Sequence, residues 1–298
     1  MRPNGPLVAV LAVFFALSGG AVIAQSSQQG QAPAGMSPAE THVLAEQVFQ
    51  AALADRLAAV IAAESAEFAD RMAMLYLSDG SGPDWRAEVA RIHDRARVSG
   101  LLLAALQARL ADNPAAAVRL RALLGPTGVT TGTDGRGLEL AARVQLARPE
   151  TLAATARRLE ADFGRGTPEL AAIARIMRQG DPVSDRLAAR MNRDIAFARG
   201  YAEGGGFDFP TAPEDVAADL WLQEPELTAE ITARIELALY AAFAPLGAAA
   251  IDHIATVRAM PRARALTAIL ALAEGDVLDQ LAAESGRAAA RRHEGSPL

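Results

Sequence analysis

The stretch from Ser37 to Tyr76, SPAETHVLAEQVFQAALADRLAAVIAAESAEFADRMAMLY, decides the fold class. Ser37-Pro38-Ala39-Glu40 is a capping-box start with proline at the first helical position, where no N–H is needed. Leu44, Val48, Ala51 and Ala52 then recur at i, i+4, i+7 and i+8 and so share one helical face. From Asp55 onward Leu57, Val60, Ile61, Phe68, Met72 and Leu75 repeat the pattern. The period is that of a helix, and the alanine and leucine that dominate the stretch are strong helix formers.

The same punctuation recurs outward from this stretch. Ser78 to Pro83 reads as a turn, Asp84 as a cap, and Trp85, Val89 and Ile92 as the apolar stripe of the next helix. Asp112-Asn113-Pro114 opens a helix that runs to Leu124. Residues 125–137, GPTGVTTGTDGRG, carry five glycines and read as a loop. Thr151, Thr167-Pro168 and Asp181-Pro182 mark later starts, and the helix after Pro182 is expected to stop near Glu203, before Gly204-Gly205-Gly206. Thr211-Ala212-Pro213, Glu224-Pro225, Met260-Pro261 and Gly275-Asp276 divide the remainder. No useful length alternates apolar and polar residues, so the sequence predicts an all-α, multi-helix bundle of about ten to twelve helices. Alanine-rich faces bury little area each. Cohesion is therefore expected from the leucines and from Trp85, Phe163, Phe197, Phe207, Phe209, Trp221 and Phe243.

The first residues point outward from the cell. Arg2, the apolar run from Leu7 to Leu17 and the small residues ending at Val22-Ile23-Ala24 have the pattern of a signal peptide over 1–24. A linker over 25–37 and a helical domain over 38–298 would follow. The expected location is the periplasm or the medium, with no stable membrane span after cleavage. There is no cysteine, so neither a disulfide nor a lipid-modified cysteine is available.

Every one of the 29 lysine-plus-arginine positions is an arginine, which excludes Schiff-base chemistry and a Walker-type phosphate loop. The net charge is −6, and one unit more negative once Arg2 leaves with the leader, which argues against nucleic acid as a partner. Two basic patches stand out against this balance: Arg91, Arg95 and Arg97, and Arg287, Arg291 and Arg292. The first reads as a site for an anion or the acidic face of a partner, or as a solvated helix face; the second leaves room for an anionic lipid surface, which the net charge otherwise disfavours.

Trp85 precedes Glu88 by three residues and Trp221 precedes Glu224 by three, and each pattern is followed by a helix pair and a proline, Pro126 or Pro261. The tryptophans are 136 residues apart and the prolines 135. The matched offset suggests two related halves, about 38–137 and 138–298. Two unrelated tryptophans at helix starts is the alternative. At these landmarks DWRAEVARIHDRARV, MNRDIAFARGYAEGGGF and DLWLQEPELTAE resemble an uncharacterised family of exported bacterial proteins, defined only as a domain of unknown function. That family carries a helix pair ending in a Ser-Pro-x-Gly turn. Here the turns read Gly125-Pro126-Thr127-Gly128 and Met260-Pro261-Arg262-Ala263. The resemblance implies a secreted helical protein and supplies no reaction.

Catalytic constellations are not evident. His42, His93, His253 and His293 lack metal-binding spacing and read as surface side chains, and no G-x-S-x-G elbow is present. No catalytic residue, metal or cofactor is assigned. The candidate binding residues are Asn192, Arg199 and Glu203 on the helix after Pro182, with Trp221, Gln223 and Glu224. The competing reading is a salt-bridge network stapling that helix to the 221–224 segment. Three functions remain open: a non-enzymatic partner-binding or accessory module of the cell envelope, a carrier of a lipid-like ligand, and an envelope hydrolase using acids such as Asp219, Glu224 and Glu203.

Overall fold

The computed structural model describes residues 36–77, 80, 82–125, 134–179, 181–208 and 213–294. The expected leader over 1–24, nearly all of the expected linker over 25–37, the Gly125-Pro126-Thr127-Gly128 turn beyond its first residue, and Phe209 lie outside them. Among the described residues there are thirteen α-helices, one short 3-10 turn and no strand, as expected of an all-α bundle. They are α1 (Pro38–Ala51), α2 (Ala54–Tyr76), α3 (Pro83–Ile92), α4 (Arg95–Asp112), α5 (Pro114–Leu124), α6 (Arg136–Leu146) and α7 (Pro149–Arg165). Then follow α8 (Pro168–Met177), α9 (Pro182–Glu203), α10 (Pro213–Leu222), α11 (Glu224–Phe243), α12 (Ala248–Arg258) and α13 (Pro261–Glu294).

Local chemistry sets most of these boundaries. Ser37 and Glu40 form the reciprocal capping box, and Asn113 and Asp181 each accept a backbone N–H from the first turn of α5 and α9. Leu53, at φ 54, turns α1 into α2 through a left-handed residue that a leucine adopts only at a cost. Three expectations need correction. α7 begins at Pro149, so Thr151 lies inside it. Gly82 precedes α3, with Pro83 at its first position, so Asp84 sits in the first turn rather than at the cap. Gly275-Asp276 divides nothing, because α13 runs through it for 34 residues; one glycine costs about 1 kcal/mol, which packing along the whole helix outweighs.

Two apolar clusters hold the helices. The first joins α1 to α5 with α9 and α13, around Trp85, Phe68, Leu102, Leu106 and Phe197. The second joins α8, α11 and α12 around Ile173, Phe243 and Ile251. α6 serves both, with Leu140 in the first and Ala142 against the second.

α9 and α13 approach until their backbones touch. A Cβ on Gly200 would overlap the Ala283 carbonyl oxygen, and a Cβ on Gly286 would overlap that of Phe197. Beyond α9 the triple glycine curls the chain back, with Gly205 at φ 77. The Phe207 ring thereby meets Tyr201 edge-on at 4.9 Å, and Gly206 lies under the Tyr201 ring. Phe207 thus packs against the first cluster. Phe163 and Trp221, expected in the core, are 67% and 64% exposed, and Leu75 also faces outward. His93, expected at the surface, is buried.

Candidate functional site

Among the described residues, Arg199 and Glu203 on the polar face of α9 pair with α9 itself and α13 rather than stapling to the 221–224 segment. Arg199 and Glu203 face each other at 4.0 Å, and Glu203 accepts a hydrogen bond from Arg287 of α13 at 2.7 Å. Asn192 is exposed on the same helix. Trp221 is exposed at the end of α10, Gln223 donates to the Asp219 carbonyl, and Glu224 accepts from the Thr228 hydroxyl. Gln223 and Glu224 are therefore each bonded one helical turn away, to Asp219 and to Thr228. The staple runs from α9 to α13 through Glu203 and to α2 through Asp194. Of the acids proposed for hydrolysis, Glu203 lines a groove of about 460 Å³ with Asp276, Asp279 and Arg287, and Asp219 and Glu224 do not line it.

The structure joins the two basic patches that lie almost two hundred positions apart. Arg91 of α3, Arg97 of α4, and Arg287 and Arg291 of α13 surround a groove of about 240 Å³ with Glu88, Ile92 and Glu284. Arg97 donates to both oxygens of Glu284 at 2.8 and 2.6 Å, and to the Ile92 carbonyl at the end of α3. Arg91 grips Glu88 at 2.7 and 3.2 Å, and Arg291 approaches the same carboxylate at 3.9 Å. Hydrogen bonding from Arg91 holds the Glu88 carboxyl below its usual range, and the charges of Arg291 and Arg292 act in the same direction. Glu284 is also lowered: burial works against it, while Gln280 and Arg97 outweigh burial. Arg95, expected with this patch, turns away and pairs with Asp55 at 2.5 Å. Arg287 lines both grooves, so a basic end and an acidic end adjoin along α13. In the acidic end, burial and then the neighbouring Asp276 charge raise the Asp279 carboxyl.

A second polar layer, not foreseen from sequence, runs between the helices. Glu64 of α2 takes two hydrogen bonds from Arg143 of α6, at 3.1 and 3.0 Å. Glu139 of α6 pairs with Arg258 of α12 at 2.7 Å, and Arg258 also donates to the Asp134 carbonyl. Burial alone would raise Glu139, but the attraction of Arg258, Arg186 and Arg136 brings it down to about 2. Asp194 of α9 is buried and accepts from Arg71 of α2 at 3.2 Å and from Arg190 at 2.7 Å. No local motif announces this layer. Its one trace in sequence is charge on otherwise apolar helices, a weak sign because exposed helix faces carry charge too.

His93 caps the end of α3, with its Nδ1 at 3.0 Å from the Val89 carbonyl and its ring 5.2 Å from that of Phe68. Burial pulls its pKa down from 6.5 to about 4, so the imidazole is neutral near pH 7. Among the described residues no three histidine or acidic side chains converge as metal ligands, and no helix is long and apolar enough to cross a membrane. No family model, curated protein or solved structure matches the chain.

Proposed function

We propose that the protein is an exported, non-enzymatic binding module of the cell envelope that receives an acidic segment of a partner protein at the arginine-rich end of α13. One observation carries this reading: arginines from α3, α4 and α13 converge around Glu88 and Glu284 in a chain of net charge −6. Arg91 and Arg291 are 70% and 63% exposed, so a partner carboxylate reaches them without displacing any core side chain. Exposed charges of this kind govern encounter rate and partner choice more than raw affinity. The export part rests on the leader pattern over 1–24 and on the resemblance to exported helical proteins. The groove at the end of α13 is lined by four arginines and two glutamates, which favours an acidic partner there over a lipid-like ligand.

Fluorescence anisotropy with a labelled polyglutamate peptide at low salt tests the reading. Binding is expected to saturate, to weaken with added salt, and to fall about tenfold in the double variant Arg91→Glu, Arg291→Glu. No saturable binding, or binding indifferent to that charge reversal, overturns it.

A further inference from the structure

The layer between α2 and α9 holds more positive charge than its own hydrogen-bonded carboxylates answer. Arg71, Arg190 and Arg193 lie together, and Asp194 is the one buried acid bonded to them: it accepts from Arg71 and Arg190 and leaves Arg193 out. Arg193 makes no hydrogen bond to a described residue, and its Nε is buried without a partner, as is the Nε of Arg71. The other nearby acids are committed or farther off. Glu64 is held by Arg143, and Glu230 is half-exposed and 3.8 Å from Arg190. Glu274 and Asp279 of α13 act on Arg193 at longer range.

Both guanidiniums lie over one phenyl ring. The Arg71 and Arg193 Cζ atoms are 5.4 and 5.7 Å from the Phe68 centroid. Cation–π contact offsets part of the cost of bringing two like charges together, yet a ring offers no hydrogen-bond acceptor in its plane. His93, which also packs on Phe68, is neutral near pH 7 and adds no counter-charge. Burial, and then the repulsion of Arg193 and Arg190 that Asp194 only partly answers, draws Arg71 down to about 10. A guanidinium with a buried, unused Nε–H and two cationic neighbours is complementary to an oxyanion, whose several lone pairs accept hydrogen bonds from planar donors.

We infer that Arg71, Arg190 and Arg193, set around Phe68 between α2 and α9, form a binding site for a small oxyanion, a phosphate or carboxylate group. Access does not require unfolding: the Arg71 side chain is 20% exposed and that of Arg190 12%. This site is separate from the groove at the end of α13 and does not depend on the acidic-partner reading.

Isothermal titration of the purified protein with inorganic phosphate, and in a second arm with acetate, tests the inference. Saturable binding of either anion, absent with chloride at equal ionic strength, is the expected result. The arm that binds tells which chemistry the site prefers. Arg193→Met is expected to weaken binding at least tenfold, whereas the Arg91→Glu, Arg291→Glu double variant leaves it unchanged. Arginine modification by phenylglyoxal, mapped by mass spectrometry, gives a readout in the unaltered chain should Arg193→Met not fold: the bound anion is expected to shield Arg71 or Arg193. No saturable binding of either anion, binding untouched by Arg193→Met, or no protection of these arginines overturns the inference.

Discussion

α3 and the junction of α10 with α11 carry the same local signature, a tryptophan followed three residues later by a glutamate, and come to opposite ends. Trp85 is 1% exposed in the first turn of α3, with its indole N–H donating to the Ala69 carbonyl of α2 at 2.8 Å. Trp221 is 64% exposed in the last turn of α10, beside the equally outward Leu222. Their glutamates diverge as well. Glu88 joins the arginine groove at the end of α13, while Glu224 is satisfied by Thr228 one helical turn on. The difference lies in neighbours. α3 lies against both α2 and α13, whereas α10 rests chiefly on α9. The same local pattern thus stands at the start of one helix and at the end of another, and the surrounding helices decide whether its tryptophan is covered.

The strongest way to break this comparison is Trp85→Ala. It removes a fully buried side chain and leaves the Ala69 carbonyl without its indole donor, so a loss of about 3–5 kcal/mol is expected in urea unfolding. A loss below about 1 kcal/mol would mean that α3 is not anchored by this residue.

His93, at the other end of α3, sharpens the contrast through pH. Its folded pKa is depressed to about 4, so between pH 4 and 6.5 the unfolded chain binds more protons than the folded one. Stability from this group is therefore present above about pH 6.5 and is lost as pH falls through that window, by up to roughly 3 kcal/mol. Glu139, lowered to about 2, adds acid sensitivity of the same sign below about pH 4.5, so the test isolates His93 by difference. His93→Gln is expected to flatten the stability profile between pH 6.5 and 4.5. An unchanged slope in that range would show that the imidazole titrates normally.

The smallest effect is expected at the other tryptophan. Trp221→Ala should leave stability within about 0.5 kcal/mol, as for surface positions free of special features. A melting temperature lowered as far as that of Trp85→Ala would abolish the distinction between the two helices.

Legibility follows the same division. The capping box at Ser37, the Asn113 and Asp181 caps and the Pro261 start were readable, because a cap is made by residues three or four apart. In sequence Arg91 and Arg97 form one basic patch and Arg287 and Arg291 another; that they enclose one groove depends on how α13 lies against α3 and α4. Arg95, from the same run, leaves for Asp55 because its helical position faces α2 instead. The pairing of Asn192, Arg199 and Glu203 with the 221–224 segment failed, since Glu203 found Arg287 first.

By itself the chain determined that it would be helical, where most helices begin and that no cysteine cross-link would hold them, because periodicity, capping and composition act within a few residues. Only the tertiary structure decided which tryptophan is buried, that Gly200 and Gly286 let α9 and α13 touch, and that Arg193 would stand near two other cations without a bonded carboxylate. Those outcomes depend on contacts between residues far apart in sequence, and such contacts are set by the packing of whole helices.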